Sequence, residues 1–287
     1  MTWLILAGLT AVFESIKDVL SKRSLPFVDI YLVSWSLFAL MLPVLAGCWA
    51  IRYIPPLGPQ FVQALVIGGT LNAIAVLFYI QALNSGDLSL TVPVVALTPL
   101  FLLVTAPWLV GEYPTGADIV GVILIVAGSY VLNLNQKQNG YLAPFRAMIE
   151  QPGPRSMLIV AFLWSLTSNF DKIGVLNSTP TFWVIALFSF VAIALLPIIA
   201  VKSHRPLAQL QTHYPSLLLI GGLSSLTVLL QMQAIQIGLV TRVIAIKRMS
   251  ALLGVLWGYL FFKETGIQER FLGTILMIAG VFAMMLA

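Results

Sequence analysis

The feature that most constrains this chain is a succession of long apolar runs, each near the length that crosses a hydrocarbon layer and most separated by short polar breaks. A membrane-spanning helix takes roughly 20 consecutive, mainly apolar residues. Runs of that kind fall at 2–21, 28–50, 61–83, 88–110, 115–134, 156–175, 180–201, 215–236, 239–262 and 267–286. Ten such segments predict an all-α polytopic membrane protein with ten transmembrane helices. Composition agrees, because 60% of the 287 residues are hydrophobic and 9% are charged, whereas soluble domains carry about 25% charged residues. A mean hydropathy of +1.00 leaves too little polar surface for an aqueous globule. The 21 Gly and 16 Pro are ordinary in membrane helices, where neighbours re-satisfy freed backbone groups.

Several function classes fall away on the same reading. A single cysteine, Cys48, rules out an internal disulfide and a cysteine-based metal cluster. His204 and His213 share a polar stretch between apolar runs and read as interfacial loop residues. There is no HExxH, no phosphate-binding glycine loop and no GxSxG, so a membrane enzyme would have only carboxylates, Lys and Arg to work with. We therefore expect no enzyme activity, no metal and no cofactor. The net charge of +5 is scattered along the chain and gives no argument for nucleic acid. The first run continues into Glu14 and Asp18, unlike the basic start and small-residue cleavage site of a secretory leader, and is read as the first span.

The longest polar gap, Gln136 to Arg155, separates two similar halves. GEYPTGADIVGVILIVAGSY at 111–130 lies 152 positions before KETGIQERFLGTILMIAGVF at 263–282. That register pairs Glu112 with Glu264, Gly121 with Gly273 and Gly128 with Gly280, and upstream Gln81 with Gln233 and Gly86 with Gly238. Near the start of each half, Lys22 answers to Lys172 at an offset of 150. The expected organisation is a first repeat at 1–135, a linker at 136–155 and a second repeat at 156–287. Five helices per half is an odd number, so the second copy enters the membrane from the opposite side. Inverted repeats supply two similar conformations of opposite opening, which many secondary transporters use for alternating access.

Charges at membrane depth are costly, at least ~2.5 kcal/mol each on insertion scales, and mark candidate sites. In the first segment Glu14, Lys17 and Asp18 are spaced to share one side of a helix, with Glu14 only ~4 Å from the segment centre at 1.5 Å per residue. They form either a proton-coupling or cation site facing a wet cavity, or a structural ion pair. In the ninth segment Lys247 and Arg248 are adjacent, point about 100° apart and sit ~5–6 Å from the centre. They serve an anion site, balance Glu14 and Asp18, or snorkel to the interface. Asn72, Tyr79, Gln81, Thr98, Thr167, Asn169, Gln231 and Gln233 are uncharged polar residues in the runs, expected to face the bundle interior. Pro93 and Pro99 should bend the fourth segment. Gly68, Gly69, Gly254 and Gly258 suit close helix crossings. Glu112 and Glu264 end their segments beside short turns and read as caps for the following helix.

QALNSGDLSLTVPVVALTPLFLLVTAPWLVGEYPTGADIVGVILIVAGSYVL resembles the signature region of the drug/metabolite transporter superfamily, EamA type, and QAIQIGLVTRVIAIKRMSALLGVLWGYLFFKETGIQERFLGTILMIAG repeats it. The resemblance implies a ten-helix secondary carrier around a central cavity, without ATP use. Family members move amino acids, nucleotide sugars, sugar phosphates, drugs or other metabolites. AVFESIKDVLSK is similar to the first helix of small multidrug resistance proteins, in which a membrane Glu exchanges protons for cationic drugs. Glu14 holds that position and Lys22 matches their lysine at the helix end, while Lys17 and Asp18 are additions to the pattern. IKRMSALLGVLWGYLFFKE resembles the plastid phosphate-translocator branch, whose Lys–Arg pair contacts substrate phosphate. Lys247 and Arg248 match that pair, and the branch's remaining phosphate-binding lysine has no counterpart here.

These readings predict a secondary active transporter of a small polar metabolite, anionic or zwitterionic, working by alternating access. Lys247, Arg248, Tyr79, Asn72, Asn169 and Gln233 are the expected substrate contacts, and Glu14, Lys17 and Asp18 the proton-coupling or ion-pairing group. The alternatives are a proton-coupled exporter of cationic or hydrophobic amines, and a membrane interaction protein that transports nothing. Expected partners are the solute, membrane lipid and a proton or counter-substrate, with the chain a monomer or homodimer in the cell inner or plasma membrane. Family resemblance places both termini in the cytoplasm. The positive-inside rule favours the reverse, since Lys22, Arg23, Lys137, Arg146, Arg155, Lys202, Arg205, Lys263 and Arg270 would lie outside and only Arg52, Lys172 and Arg242 inside.

Overall fold

The computed structural model describes residues 2–50, 55–85, 91–131, 150–250, 252–254, 256–257 and 267–285. Among these the chain is all-helical, with no strand. In order come α1 (Thr2–Ser24), α2 (Ile30–Ala39), α3 (Leu42–Ala50), α4 (Phe61–Ser85), a 3-10 stretch (Val92–Leu97), α5 (Thr98–Leu109), α6 (Gly116–Val131), α7 (Pro152–Leu176), α8 (Pro180–Lys202), α9 (Pro206–Ile237), α10 (Val240–Lys247) and α11 (Ile267–Met285). Four of these, α4, α7, α8 and α9, are by themselves long and apolar enough to cross a membrane, and shorter apolar helices accompany them. The side chains they leave exposed include Val62, Val104, Ile193 and Phe282. An outer face made of such residues is the pattern of a lipid-facing bundle rather than of a water-soluble one. The protein is a multi-pass membrane protein.

Helix ends follow local chemistry. The Asp29 carboxylate accepts the Tyr31 and Leu32 N–H groups and starts α2, while Thr179 accepts from Phe182 N–H and precedes Pro180 at the start of α8. Three sequence-defined segments are interrupted where one unbroken helix is the simpler expectation. The second divides at Leu40 and Met41 into α2 and α3. The fourth opens as the 3-10 stretch and becomes α-helical only from Thr98, where Pro99 fits the first turn. In the ninth, α10 stops at Lys247 and Arg248 is its C-cap, so the Lys–Arg pair lies at a helix end instead of within a helix. α9 is longer than its apolar run and is kinked at His213, two residues before Pro215. Gly86, Gly258, Glu264, Arg52, Lys263 and residues 136–149 of the 136–155 linker, with Lys137 and Arg146, lie outside the described residues.

The halves pack with a shared logic. α1 lies along α9 and α4 along α7, which pairs the first helix of each half with the third span of the other. α6 and α11, equivalent in the repeat, pack on each other. Their crossing is backbone-close: a Cβ on Gly121 would stand 2.7 Å from the Gly280 carbonyl oxygen, and one on Gly128 2.6 Å from that of Gly273. Since 121 faces 280 and 128 faces 273, the two equivalent helices run antiparallel. The α4–α7 contact is antiparallel too. Gly58 N–H donates to Asn177 O at 2.9 Å, Gly68 abuts Phe170, and the Tyr79 and Trp164 rings are 5.0 Å apart. Phe38 meets its own repeat equivalent, Phe188, edge-to-face at 5.0 Å.

Candidate functional site

The central cavity is lined from both halves by helical stripes. On α7 the lining residues are Trp164, Thr167, Ser168 and Asp171, spaced i, i+3, i+4 and i+7 as one helix face requires. α4 contributes Asn72, Val76 and Tyr79, and α9 contributes Ser224, Val228 and Gln231 at the same spacing. α1 adds Glu14 and Lys17, and the end of α10 adds Ile244, Lys247 and Arg248. Leu37, Phe38, Leu187 and Phe188 form an apolar wall. The space open to water centres is about 70 Å³, room for several waters at roughly 10–15 Å³ apiece.

Charges here are buried and mostly paired. Glu14 Oε2 is 2.9 Å from Lys17 Nζ, and its Oε1 is 3.5 Å from Lys247 Nζ. Asp18 accepts the Tyr79 hydroxyl proton and lies 3.5 Å from Lys17 Nζ. Lys247 Nζ also donates to Gln231 Oε1 at 2.7 Å. The cations rest on aromatic faces: Lys17 Nζ is 5.2 Å from the Tyr79 ring centroid, and Lys247 Nζ and the Arg248 guanidinium carbon are 5.9 and 5.3 Å from the Trp164 ring. Arg248 is 2% exposed and its Nε–H has no hydrogen-bond partner among the described residues, although the residue lines the cavity. A buried donor left unmade costs about 1–3 kcal/mol, and more when charged. The arrangement can therefore take an acceptor of negative charge at Arg248, with an aromatic face behind it.

Among the residues singled out in the sequence, Glu14, Lys17, Asn72, Tyr79, Thr167, Gln231, Lys247 and Arg248 share this lining, and Asp18 joins it through Tyr79. Gln81, exposed on α4, and Thr98, which donates to Val95 O at 2.7 Å, are not part of it, and neither are two of the expected substrate contacts. Asn169 is buried beside α5, its Nδ2 donating to Thr105 Oγ1 at 3.0 Å and Ser165 O at 2.8 Å. Gln233 is exposed on the outside of α9. Each follows a lining residue directly, Ser168 for the first and Met232 for the second, and the step of about 100° turns its side chain away from the cavity. Trp164 and Asp171 line the cavity without having been singled out. The signal for both was the 150-residue register, which sets Trp164 opposite Glu14 and Asp171 opposite Ser21.

One end of the bundle near the cavity is tied by buried polar contacts. Lys172 Nζ is 3.0 Å from Glu112 Oε1 and donates to the carbonyls of Ile235 at 2.6 Å and Gly238 at 2.9 Å. Glu112 Oε2 accepts the Val240 N–H at 2.8 Å. Glu112 thus caps α10, a helix of the other half, and not the helix that follows it. That following helix, α6, is started instead by Thr115 and Asp118, and Asp118 also holds Arg242 of α10 at 2.6 Å.

The family model for the EamA-like transporter family matches residues 1–134 and again 152–286. Among curated proteins none matches. One solved structure, titled "Crystal structure of protein", superposes with a TM-score of 0.74 at 18% identity, over 99% of this chain and 96% of that one. At that identity the likeness speaks for the fold alone.

Proposed function

The chain belongs to the EamA-like transporter family, and from that premise we propose that it is a secondary carrier of a small anionic or zwitterionic metabolite. Ten spans form two inverted repeats, residues 1–135 and 156–287 joined by a linker at 136–155. The repeats rock about the central cavity so that it opens to each side in turn. Both termini are cytoplasmic, and the pathway lies within one chain of the cell membrane. Binding needs no metal or cofactor.

One observation carries the choice of substrate sign. The Arg248 guanidinium is buried in the cavity wall with its Nε–H unmet among the described residues, and a planar fork of donors suits a carboxylate or phosphate. Lys247 adds a second positive charge beside it. An amine would have to compete with Lys17 and Lys247 for Glu14, since both oxygens of that carboxylate already face ammonium groups.

The test is thermal stabilisation of the purified protein by carboxylates, phosphate esters, α-amino acids and amines, with Arg248→Gln alongside. Binding to the folded state raises apparent melting by mass action. The reading expects at least one anion or zwitterion to stabilise wild type and to lose at least tenfold in affinity, about 1.4 kcal/mol, in the variant. Stabilisation by amines only, retained in Arg248→Gln, would transfer the assignment to an amine exporter.

A further inference from the structure

Six buried charged side chains gather in and around the cavity: Glu14, Asp18 and Asp171 against Lys17, Lys247 and Arg248. Three acidic and three basic side chains balance in formal charge. Glu14 and Asp18 lie within ion-pair distance of Lys17, and Glu14 also of Lys247. Asp171 differs. Its one hydrogen bond is from a neutral group, Trp183 Nε1, at 2.9 Å, and no ion pair joins it to a cation among the described residues. Trp183 is held there by design of the chain. Gly174, one turn beyond, has no side chain, and a Cβ at that position would lie 2.2 Å from the indole ring.

On the carrier reading above, an anion seated at Arg248 leaves the cavity one negative charge in excess, in a place with little water to screen it. Restoring balance takes one cation. The carboxylate with no cation of its own is the place for it. Resting on that reading, we propose that Asp171 is the coupling group of this carrier, binding the proton that accompanies the anionic substrate. The proton comes from water on the side to which the cavity is open, converts the Asp171 carboxylate to the neutral acid, and returns to water on the other side once the substrate has left.

The surroundings of Asp171 allow this. From α10 and its cap it faces Lys247 and Arg248, from α4 Tyr79, and across the cavity on α1 Glu14, Lys17 and Asp18. The 3-10 stretch and α5 carry no charged or titratable residue, α8 carries only Lys202 at its far end, and α9 has only His213 and Tyr214, both far from the cavity. On its own helix, the adjacent Lys172 is turned away to Glu112 and two carbonyls.

The test needs no known substrate. Infrared difference spectra of the full chain in liposomes, taken as the pH is stepped between roughly 8 and 5, read the C=O stretch of a protonated carboxyl. Wild type and Glu14→Gln should both gain that band on acidification, and Asp171→Asn should lack it. Trp183→Phe, which removes the neutral donor and keeps the carboxylate, should shift its frequency. If Asp171→Asn does not fold, Asp171→Glu should move the band instead. A band that survives Asp171→Asn, one that disappears in Glu14→Gln, one unmoved by Trp183→Phe, or none in wild type would each overturn the assignment. Because the band reports the proton itself, a protein that titrates at Asp171 and moves no solute would sink the carrier reading and the coupling role with it, whereas a working carrier whose band survives Asp171→Asn would sink the coupling role alone.

Discussion

The two halves of this molecule agree in their scaffold and in the apolar wall of their cavity, and disagree in the cavity's polar residues. The close helix crossing recurs, Gly121 with Gly273 and Gly128 with Gly280, and so does the apolar lining, Leu37 with Leu187, Phe38 with Phe188 and Val76 with Val228. The polar and charged lining positions diverge. Glu14 and Lys17 of the first half are answered by Trp164 and Thr167, Tyr79 by Gln231, and Lys247 and Arg248 of the second half by Val95 and Ala96. Duplication supplied a nearly symmetric frame, and the two copies then took complementary roles. The first half brings the Glu14–Lys17–Asp18 group, while the second brings the Lys247–Arg248 pair and the aromatic face on which it rests.

This comparison can be broken at several places. The largest effect is expected at the shared scaffold. Gly128→Leu would drive carbon into the Gly273 carbonyl oxygen and the Met277 backbone, 2.6 and 2.8 Å from the nearest Cβ position. Backbone cannot move aside as a side chain can, so the variant should fail to yield monodisperse protein on size-exclusion chromatography. Gly8→Ala, where a Cβ meets nothing within 4 Å, should behave as wild type. Next is Glu14→Ala, which takes from Lys247 its carboxylate partner and leaves Lys17 only Asp18. Breaking a buried pair from one side costs about 3–5 kcal/mol, visible as a large fall in melting temperature. Glu14→Gln with Lys17→Met should recover part of that loss, whereas Trp164→Phe at the equivalent position should cost far less.

A smaller effect is expected at the tied end of the bundle. Lys172→Met and Glu112→Gln should each destabilise, and together by less than their sum, with a coupling of about 0.5–3 kcal/mol in a double-mutant cycle. Additive losses would mean that the 3.0 Å pair contributes nothing as a pair. The smallest belongs to Gln233→Ala on the outer face of α9, which should leave melting and ligand stabilisation within about 0.5 kcal/mol of wild type.

Much of this was legible in the sequence because membrane burial writes itself in composition and length. The apolar runs located the helices, and the shared register located the duplication that brings Gly121 against Gly280. Charges inside apolar runs pointed to the cavity because so few other places in a bilayer tolerate them. What escaped was phase. Asn169 and Gln233 are polar and in the right helices, yet sit on the wrong side of them. Asp171 stands next to Lys172 near the end of its apolar run, and neither it nor Trp164 was singled out. Nor could the runs reveal that α10 stops at Lys247, since Ile-Lys-Arg-Met-Ser contains neither Gly nor Pro.

The most direct test of the central claim is exchange in proteoliposomes. Vesicles loaded with each of the carboxylates, phosphate esters, amino acids and amines in turn would be supplied outside with the same compound in labelled form. The account predicts accelerated exchange of at least one anion or zwitterion by wild type, reduced tenfold or more in Arg248→Gln and preserved in Gln233→Ala. Exchange of amines alone, or of an anion that Arg248→Gln carries as well as wild type, would contradict it.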